Sequence, residues 1–132
     1  MTTSDDILEI LRDLIAIPSG YPPGDSSAIC AYAADRLGKA GYDVSVLTKT
    51  APMDNVVARM GSGKPSIVFN AHVDTVAVAD RSEWQTDPFE ATLVDGRVHG
   101  LGAGNCKGSM AVQIWLAEEI ARRGGPVSGE VV

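Results

Sequence analysis

The sequence predicts an α/β fold in which a central, mostly parallel or mixed sheet carries helices on both faces. Three observations predict this class. Two helical patterns open the chain, three strand patterns follow them, and a hairpin, a third helix and the beginning of a strand complete the order. Helices and strands in this order are expected to pack as layers around a shared sheet. At 132 residues the chain has the length of one domain.

Two helices and a loop are predicted at the start of the chain. The first helix is expected to begin after Ser4, whose side chain can cap it, and to stop at Pro18. The proline- and glycine-rich residues 18–24 predict a loop. A second helix is expected to start between residues 25 and 27 and to end at Gly41, which suits a left-handed cap.

Three strands and a hairpin are predicted next. Residues 42–48 alternate between apolar and polar, and residues 55–60 form a second strand pattern. The nearly continuous apolar run 66–71 predicts a strand that is buried on both faces. Asp95-Gly96 lies between short β-prone runs within residues 92–99, and this arrangement predicts a hairpin.

The last quarter of the chain combines a glycine-rich loop with a helix. The loop covers residues 100–108, helical periodicity follows over residues 109–123, and Gly124 is expected to end that helix. Residues 129–132 have the pattern of a strand that has just begun. Because a compact domain does not normally stop inside a strand, we expect the sequence to be the N-terminal piece of a longer protein.

Charge and composition exclude several classes of partner. Eleven Lys and Arg residues against seventeen Asp and Glu residues give a net charge of −6 at pH 7. This balance argues against binding to nucleic acid or to an anionic membrane surface. The N-terminal residues are acidic where a signal peptide would be basic, so a cytoplasmic location is expected. Two cysteines do not make a disulfide framework.

The clearest candidate for metal chemistry is a histidine followed by an aspartate. On an extended backbone, His72 and Asp74 project to the same side. A histidine that binds a metal uses one ring nitrogen for the metal and needs an acceptor for the other. His99 lacks a close acidic neighbour, so a structural role is expected for it. Cys106 is expected to be a small residue packed in a tight loop, and Cys30 to be a core residue.

Phosphate-binding loops are the alternatives. Residues 58–65 resemble the end of a Walker loop, but Ala58 and Pro65 stand where a glycine and a hydroxyl are required. Residues 100–105 resemble a dinucleotide-binding loop in which Asn105 replaces the third glycine. An anion site at the N-terminus of the helix that begins near Lys107 is a further alternative.

Several segments together carry a more specific signal than any one of them. These segments are residues 14–19, 21–24, 70–76, 84–89, 95–100 and 102–111. Their order and spacing resemble the zinc-dependent metallopeptidase and amidohydrolase family of acetylornithine deacetylase, succinyl-diaminopimelate desuccinylase, aminoacylase and the carboxypeptidases that cleave folates. The resemblance covers essentially the whole chain.

The resemblance implies a phosphorylase/hydrolase-like catalytic domain that holds two zinc ions, for which cobalt can substitute. Residues 1–132 would be the N-terminal portion of that domain, without the lid and dimerisation domain through which a homodimer would form. It implies that His72 is a metal ligand, that Asp74 is the catalytic carboxylate that orients this histidine, and that Asn105 occupies the position of the metal-bridging aspartate. The remaining ligands and the general base would lie beyond Val132.

Asn105 is a departure from the family pattern. A bridging carboxylate places an anion between two dications, whereas an amide has one oxygen ligand and no charge, so the second metal is in doubt. The expected function is hydrolysis of the amide bond of an N-acyl amino acid or short peptide, with residues 1–132 inactive alone. The alternative is a non-catalytic relative that binds metal or acts as a scaffold. We expect His72 and Asn105 to lie close together, because both follow predicted strands.

Overall fold

The computed structural model describes residues 2–132 of the chain. It contains three helices and eight strands, together with a 3-10 turn at Arg81–Glu83 and a π turn at Ala103–Lys107. The helices are α1 (Thr3–Ala16), α2 (Ser27–Lys39) and α3 (Gly108–Arg122). The strands are β1 (Gly20–Tyr21), β2 (Asp43–Thr50), β3 (Met53–Ser62), β4 (Ser66–Ile67), β5 (Thr75–Val76), β6 (Thr92–Val94), β7 (Arg97–His99) and β8 (Gly129–Val131).

The predicted α/β class is confirmed, with a mixed sheet at its centre. Four strands pair in the order β2-β3-β8-β4. The β2–β3 and β3–β8 pairs are antiparallel, and the β4–β8 pair is parallel. Two smaller pairs stand apart from this sheet: β1 pairs with β5 in parallel, and β6 pairs with β7 as an antiparallel hairpin.

The cap of α1 differs from the prediction. Thr2, not Ser4, caps the helix: its hydroxyl oxygen accepts from the Asp5 backbone N–H at 3.3 Å. The Asp5 carboxylate in turn accepts from the Thr2 backbone N–H at 2.8 Å. This reciprocal arrangement is a capping box, and it satisfies the backbone N–H groups of both Thr2 and Asp5.

The predicted strand over residues 66–71 is the main error in the sequence-based elements. Only Ser66–Ile67 is a regular strand, and the side chains of Val68 and Phe69 are 64% and 41% exposed. Within residues 2–132, β4 pairs with β8 alone. A continuous apolar run is typical of a strand that is buried on both faces, but it does not say which elements cover those faces in the tertiary structure.

The turns follow the sequence closely. Asp95 and Gly96 have φ values of 48° and 74°, which is the left-handed backbone of a two-residue hairpin turn. Gly41 ends α2 with a φ of 96°, and Gly124 follows α3 with a φ of 97°. The two helix ends were predicted from these glycines.

The core lies where the three helices meet. Helix α1 packs against α3, and α2 packs against β2, β3 and α3. Cys30 is 1% exposed, which confirms it as a core residue, and Met110 is also buried. The residues of the central cluster are Ile10, Leu11, Leu14, Ile15, Ile29, Ala33, Met110, Ala111 and Ile114. Within residues 2–132, no helix combines the length and the apolar character that crossing a membrane requires.

Candidate metal centre

His72 and Asn105 meet although thirty-three residues separate them. His72 lies in the segment between β4 and β5, and Asn105 lies in the π turn that precedes α3. His72 Nε2 is 2.8 Å from Asn105 Oδ1. The predicted approach of these two side chains is therefore confirmed, whereas their role as metal ligands stays a prediction.

Asp74 holds the other nitrogen of the imidazole. His72 Nδ1 is 2.9 Å from the backbone carbonyl oxygen of Asp74 and 3.3 Å from its Oδ1. Carbonyl oxygens only accept, so Nδ1–H donates to Asp74, and the 2.8 Å contact with Asn105 Oδ1 is a hydrogen bond when Nε2 also carries a proton. The acceptor at Nδ1 is the partner that a histidine needs when it binds a metal through Nε2.

Hydrogen-bond acceptors lie beside both ring nitrogens of His72 and favour its protonated form. The Asn105 carboxamide oxygen and the Asp74 carbonyl and carboxylate raise the pKa of His72 above its ordinary value. When both ring nitrogens carry a proton, each donates to one of these neighbours, and the charged form is favoured. A divalent cation at Nε2 would compete with that proton.

A buried serine supports the loop that carries His72. Ser19 Oγ donates to the backbone carbonyl of Val73 at 2.7 Å, and the backbone carbonyl of Ser19 accepts from Thr75 N at 2.9 Å. Sequence reasoning missed Ser19, because its partners are more than fifty residues away and no local pattern marks them.

Lys107 supports the loop that carries Asn105. Its side chain is 1% exposed, and Nζ donates to the backbone carbonyl of Ile17, the C-cap of α1, at 2.7 Å. Burial lowers the pKa of Lys107 to about 8. A lysine within a run of small residues is a signal in the sequence, but its buried position is visible only in the structure.

The glycines of this loop are required by close packing. Gly102 has a φ of +80°, and a Cβ there would lie 2.7 Å from Thr75 Cγ2. A Cβ on Gly108 would collide with the backbone oxygen of Ala103. Close packing within the protein therefore explains why glycine is needed at these two positions. It does not favour the alternative of a dinucleotide-binding loop over residues 100–105.

The pair of side chains opens into a cleft of about 460 Å³. Tyr21, Thr75 and the glycine-rich loop complete its walls. An adjacent recess of about 620 Å³ contains His99, so the second histidine lines a different cavity. Cys106 is a partly exposed free thiol near the cleft, and Cys30 is also free.

The donors suit zinc or cobalt in type but are too few for a complete site. Imidazole nitrogen and amide oxygen are both suitable metal ligands. Stable zinc sites use three or four protein ligands. Among residues 2–132 no group of three or more His, Cys, Asp and Glu side chains is placed to hold a metal. The described residues by themselves therefore fall short of a stable zinc site.

The chain is similar to known proteins in both sequence and fold. Residues 68–132, which include His72, Asp74 and Asn105, match the peptidase family M20/M25/M40. The succinyl-diaminopimelate desuccinylase of Bradyrhizobium diazoefficiens is 37% identical over 130 residues, which cover 95% of this chain and 33% of that protein. The enzyme of the same name from Rhodospirillum centenum is 33% identical over 134 residues, covering 96% of this chain and 33% of that protein.

A solved structure extends this comparison to the fold. The crystal structure of human carnosine dipeptidase 1 superposes with a TM-score of 0.82 at 26% identity, over 96% of this chain and 30% of that one. The chain thus spans about a third of the length of the proteins it matches.

Proposed function

Because the chain belongs to the peptidase family M20/M25/M40, we propose that it is the N-terminal part of a metal-dependent hydrolase. The proposed reaction is cleavage of the amide bond of an N-acyl amino acid or short peptide. The observation that carries the proposal is the contact of 2.8 Å between His72 Nε2 and Asn105 Oδ1 at the wall of a cleft.

Each side chain has a defined task in this proposal. His72 Nε2 and Asn105 Oδ1 are the donors that this part of the chain contributes to the metal. Asp74 holds the proton on Nδ1, so that Nε2 is the nitrogen that would bind the metal once its own proton is lost. When bound, zinc or cobalt supplies a Lewis acid that activates water and polarises a carbonyl group. The general base and the other ligands are expected outside residues 1–132.

The neutral side chain of Asn105 limits how many metal ions the proposed site can hold. The amide has no charge to place between two dications, which repel each other at the ~3.5–4 Å separation of two-metal sites. We therefore expect one ion to be held weakly by residues 1–132, with the second ion dependent on an anion at position 105. Substituting aspartate at this position tests the assignment.

Zinc titration calorimetry on the 132-residue chain is the experiment. The native chain is expected to bind zinc more weakly than micromolar, and His72→Ala to remove that binding. Asn105→Asp is expected to strengthen it about tenfold or more, each tenfold being ~1.4 kcal/mol. His99→Ala is the matched control, since the other histidine lines a separate recess, and its zinc affinity should equal that of the native chain.

The outcome separates the proposal from its alternatives. Zinc binding that survives His72→Ala contradicts the proposed ligand set. Sub-micromolar affinity in the native chain would show that further residues, such as His99 or Cys106, are ligands. A second candidate, a non-catalytic relative that serves as a scaffold, is favoured by the neutral side chain of Asn105. Failure of Asn105→Asp to bind zinc would support that candidate.

A further inference from the structure

We propose that residues 17–19 form a clamp that sets the distance between His72 and Asn105, with Ser19 and Lys107 as positioning residues. The inference rests on the proposed function, because it concerns how the two proposed ligands are aligned. It adds two side chains that do not line the cleft and that act through its residues.

One end of the clamp holds the loop of His72. Ser19 is 2% exposed, and both its side chain and its backbone form hydrogen bonds to the loop of His72. Its hydroxyl donates to the carbonyl of Val73 at 2.7 Å, and its carbonyl accepts from the N–H of Thr75 at 2.9 Å. These two residues flank Asp74, and Val73 directly follows His72. The backbone that carries His72 and Asp74 is therefore tied to Ser19 at two points, one on each side of Asp74.

The other end of the clamp holds the loop of Asn105. Lys107 Nζ donates to the carbonyl of Ile17 at 2.7 Å from a side chain that is 1% exposed. The backbone N–H groups of Lys107 and Asn105 both donate to the carbonyl of Gly102, at 3.0 and 3.1 Å. Fixing the lysine therefore fixes the tight turn on which the asparagine sits.

A short, stiff segment joins the two ends of the clamp. Ile17 and Ser19 are separated only by Pro18, whose ring fixes its φ. A buried ammonium group is costly unless its polar interactions are satisfied. An apolar side chain would fill the same space without that cost, so the lysine is better explained by the bond it makes to Ile17.

Nuclear Overhauser contacts in the metal-free 132-residue chain test the clamp. The native chain should show a cross-peak between the His72 ring and the Asn105 carboxamide. Ser19→Ala and Lys107→Met each remove one tether and should lose that cross-peak while keeping the amide spectrum of a folded chain. Ser26→Ala is the matched control, because this serine is also buried and also donates through its hydroxyl to a backbone carbonyl, at 2.9 Å, but on β3. It should keep the cross-peak.

The outcomes are decisive for the positioning role. Ser19→Ala and Lys107→Met chains that fold and keep the cross-peak would overturn it. Loss of the cross-peak in Ser26→Ala as well would overturn it too, since any buried serine would then have the same effect. Unfolding of both test variants would also overturn it, by making the two side chains determinants of the whole fold.

Cobalt titration of the same variants distinguishes this failure from failure of the proposed function. A native chain that shows the cross-peak but takes up no cobalt under any condition would count against the metal centre and leave the clamp standing. If the native chain binds cobalt, weaker cobalt binding in Ser19→Ala than in Ser26→Ala is the expected result, and equal binding would contradict the clamp.

Discussion

The ion pair between Arg36 and Glu118 is expected to contribute more to stability than an exposed pair on the same helix. Arg36 Nε and Nη2 donate to the two carboxylate oxygens of Glu118 at 2.6 and 3.0 Å, which joins α2 to α3. Arg36 Nη1 also donates to the hydroxyl of Tyr32 at 3.1 Å, and that hydroxyl donates to Asp13 on α1 at 2.9 Å. The pair therefore belongs to a network that links all three helices.

The expected magnitude follows from the partial burial. The two side chains are 26% and 28% exposed. Hydrogen bonds to charged groups contribute ~1.5–3 kcal/mol, whereas exposed pairs contribute ~0.2–1 kcal/mol. Because about a quarter of each side chain is exposed to solvent, we lower this range and expect a coupling free energy of about 1–2 kcal/mol for the bidentate pair. The control pair, Lys39 with Asp35, is 75% and 58% exposed and should couple by about 0.3–0.5 kcal/mol.

Urea unfolding of a double-mutant cycle measures both couplings. The variants are Arg36→Met with Glu118→Gln, and Lys39→Met with Asp35→Asn as the control cycle. Each cycle isolates the pairwise free energy from the other losses of the single variants. A coupling for Arg36 with Glu118 that is no larger than the control would refute the argument from burial and bidentate geometry.

Two further predictions concern titratable groups. Burial raises the pKa of the Cys30 thiol, so only Cys106 is expected to react rapidly with an aromatic disulfide at neutral pH; a fast reaction that persists in Cys106→Ser would contradict this. Hydrogen bonds, chiefly from Arg122, lower the pKa of Glu119 to about 2 from 4.5. The stabilising contribution of this carboxylate is therefore complete above the unfolded pKa and is lost as pH falls through the folded one. An NMR titration should show a low midpoint for Glu119 that rises in Arg122→Ala.

The fold class could be predicted because each element leaves its own mark on the sequence. The turn at Asp95-Gly96 was predicted since few other residue pairs adopt two consecutive left-handed conformations. The apolar stripe of α1 was predicted because helical periodicity brings its core residues to one side. The cap at Thr2 was missed because Ser4 is an equally good capping residue by type, and reciprocity with Asp5 decides between them.

The candidate site was predictable in part. The approach of His72 to Asn105 followed from the positions of both residues after predicted strands, a place where ligands gather in α/β sheets. The burial of residues 66–71 is predicted wrongly for this chain, because an apolar run does not say which elements will cover the two faces of its strand.

The sequence by itself determined the order of the elements, the turns and the proximity of His72 to Asp74, because these depend on residue type and short spacing. Only the tertiary structure decided that Ser19 reaches Val73 across 54 residues and that Lys107 reaches Ile17 across 90. The physical reason is that a hydroxyl or an ammonium group bonds to whichever backbone carbonyl the folded chain brings near it. That choice has no periodicity or local motif from which it can be predicted.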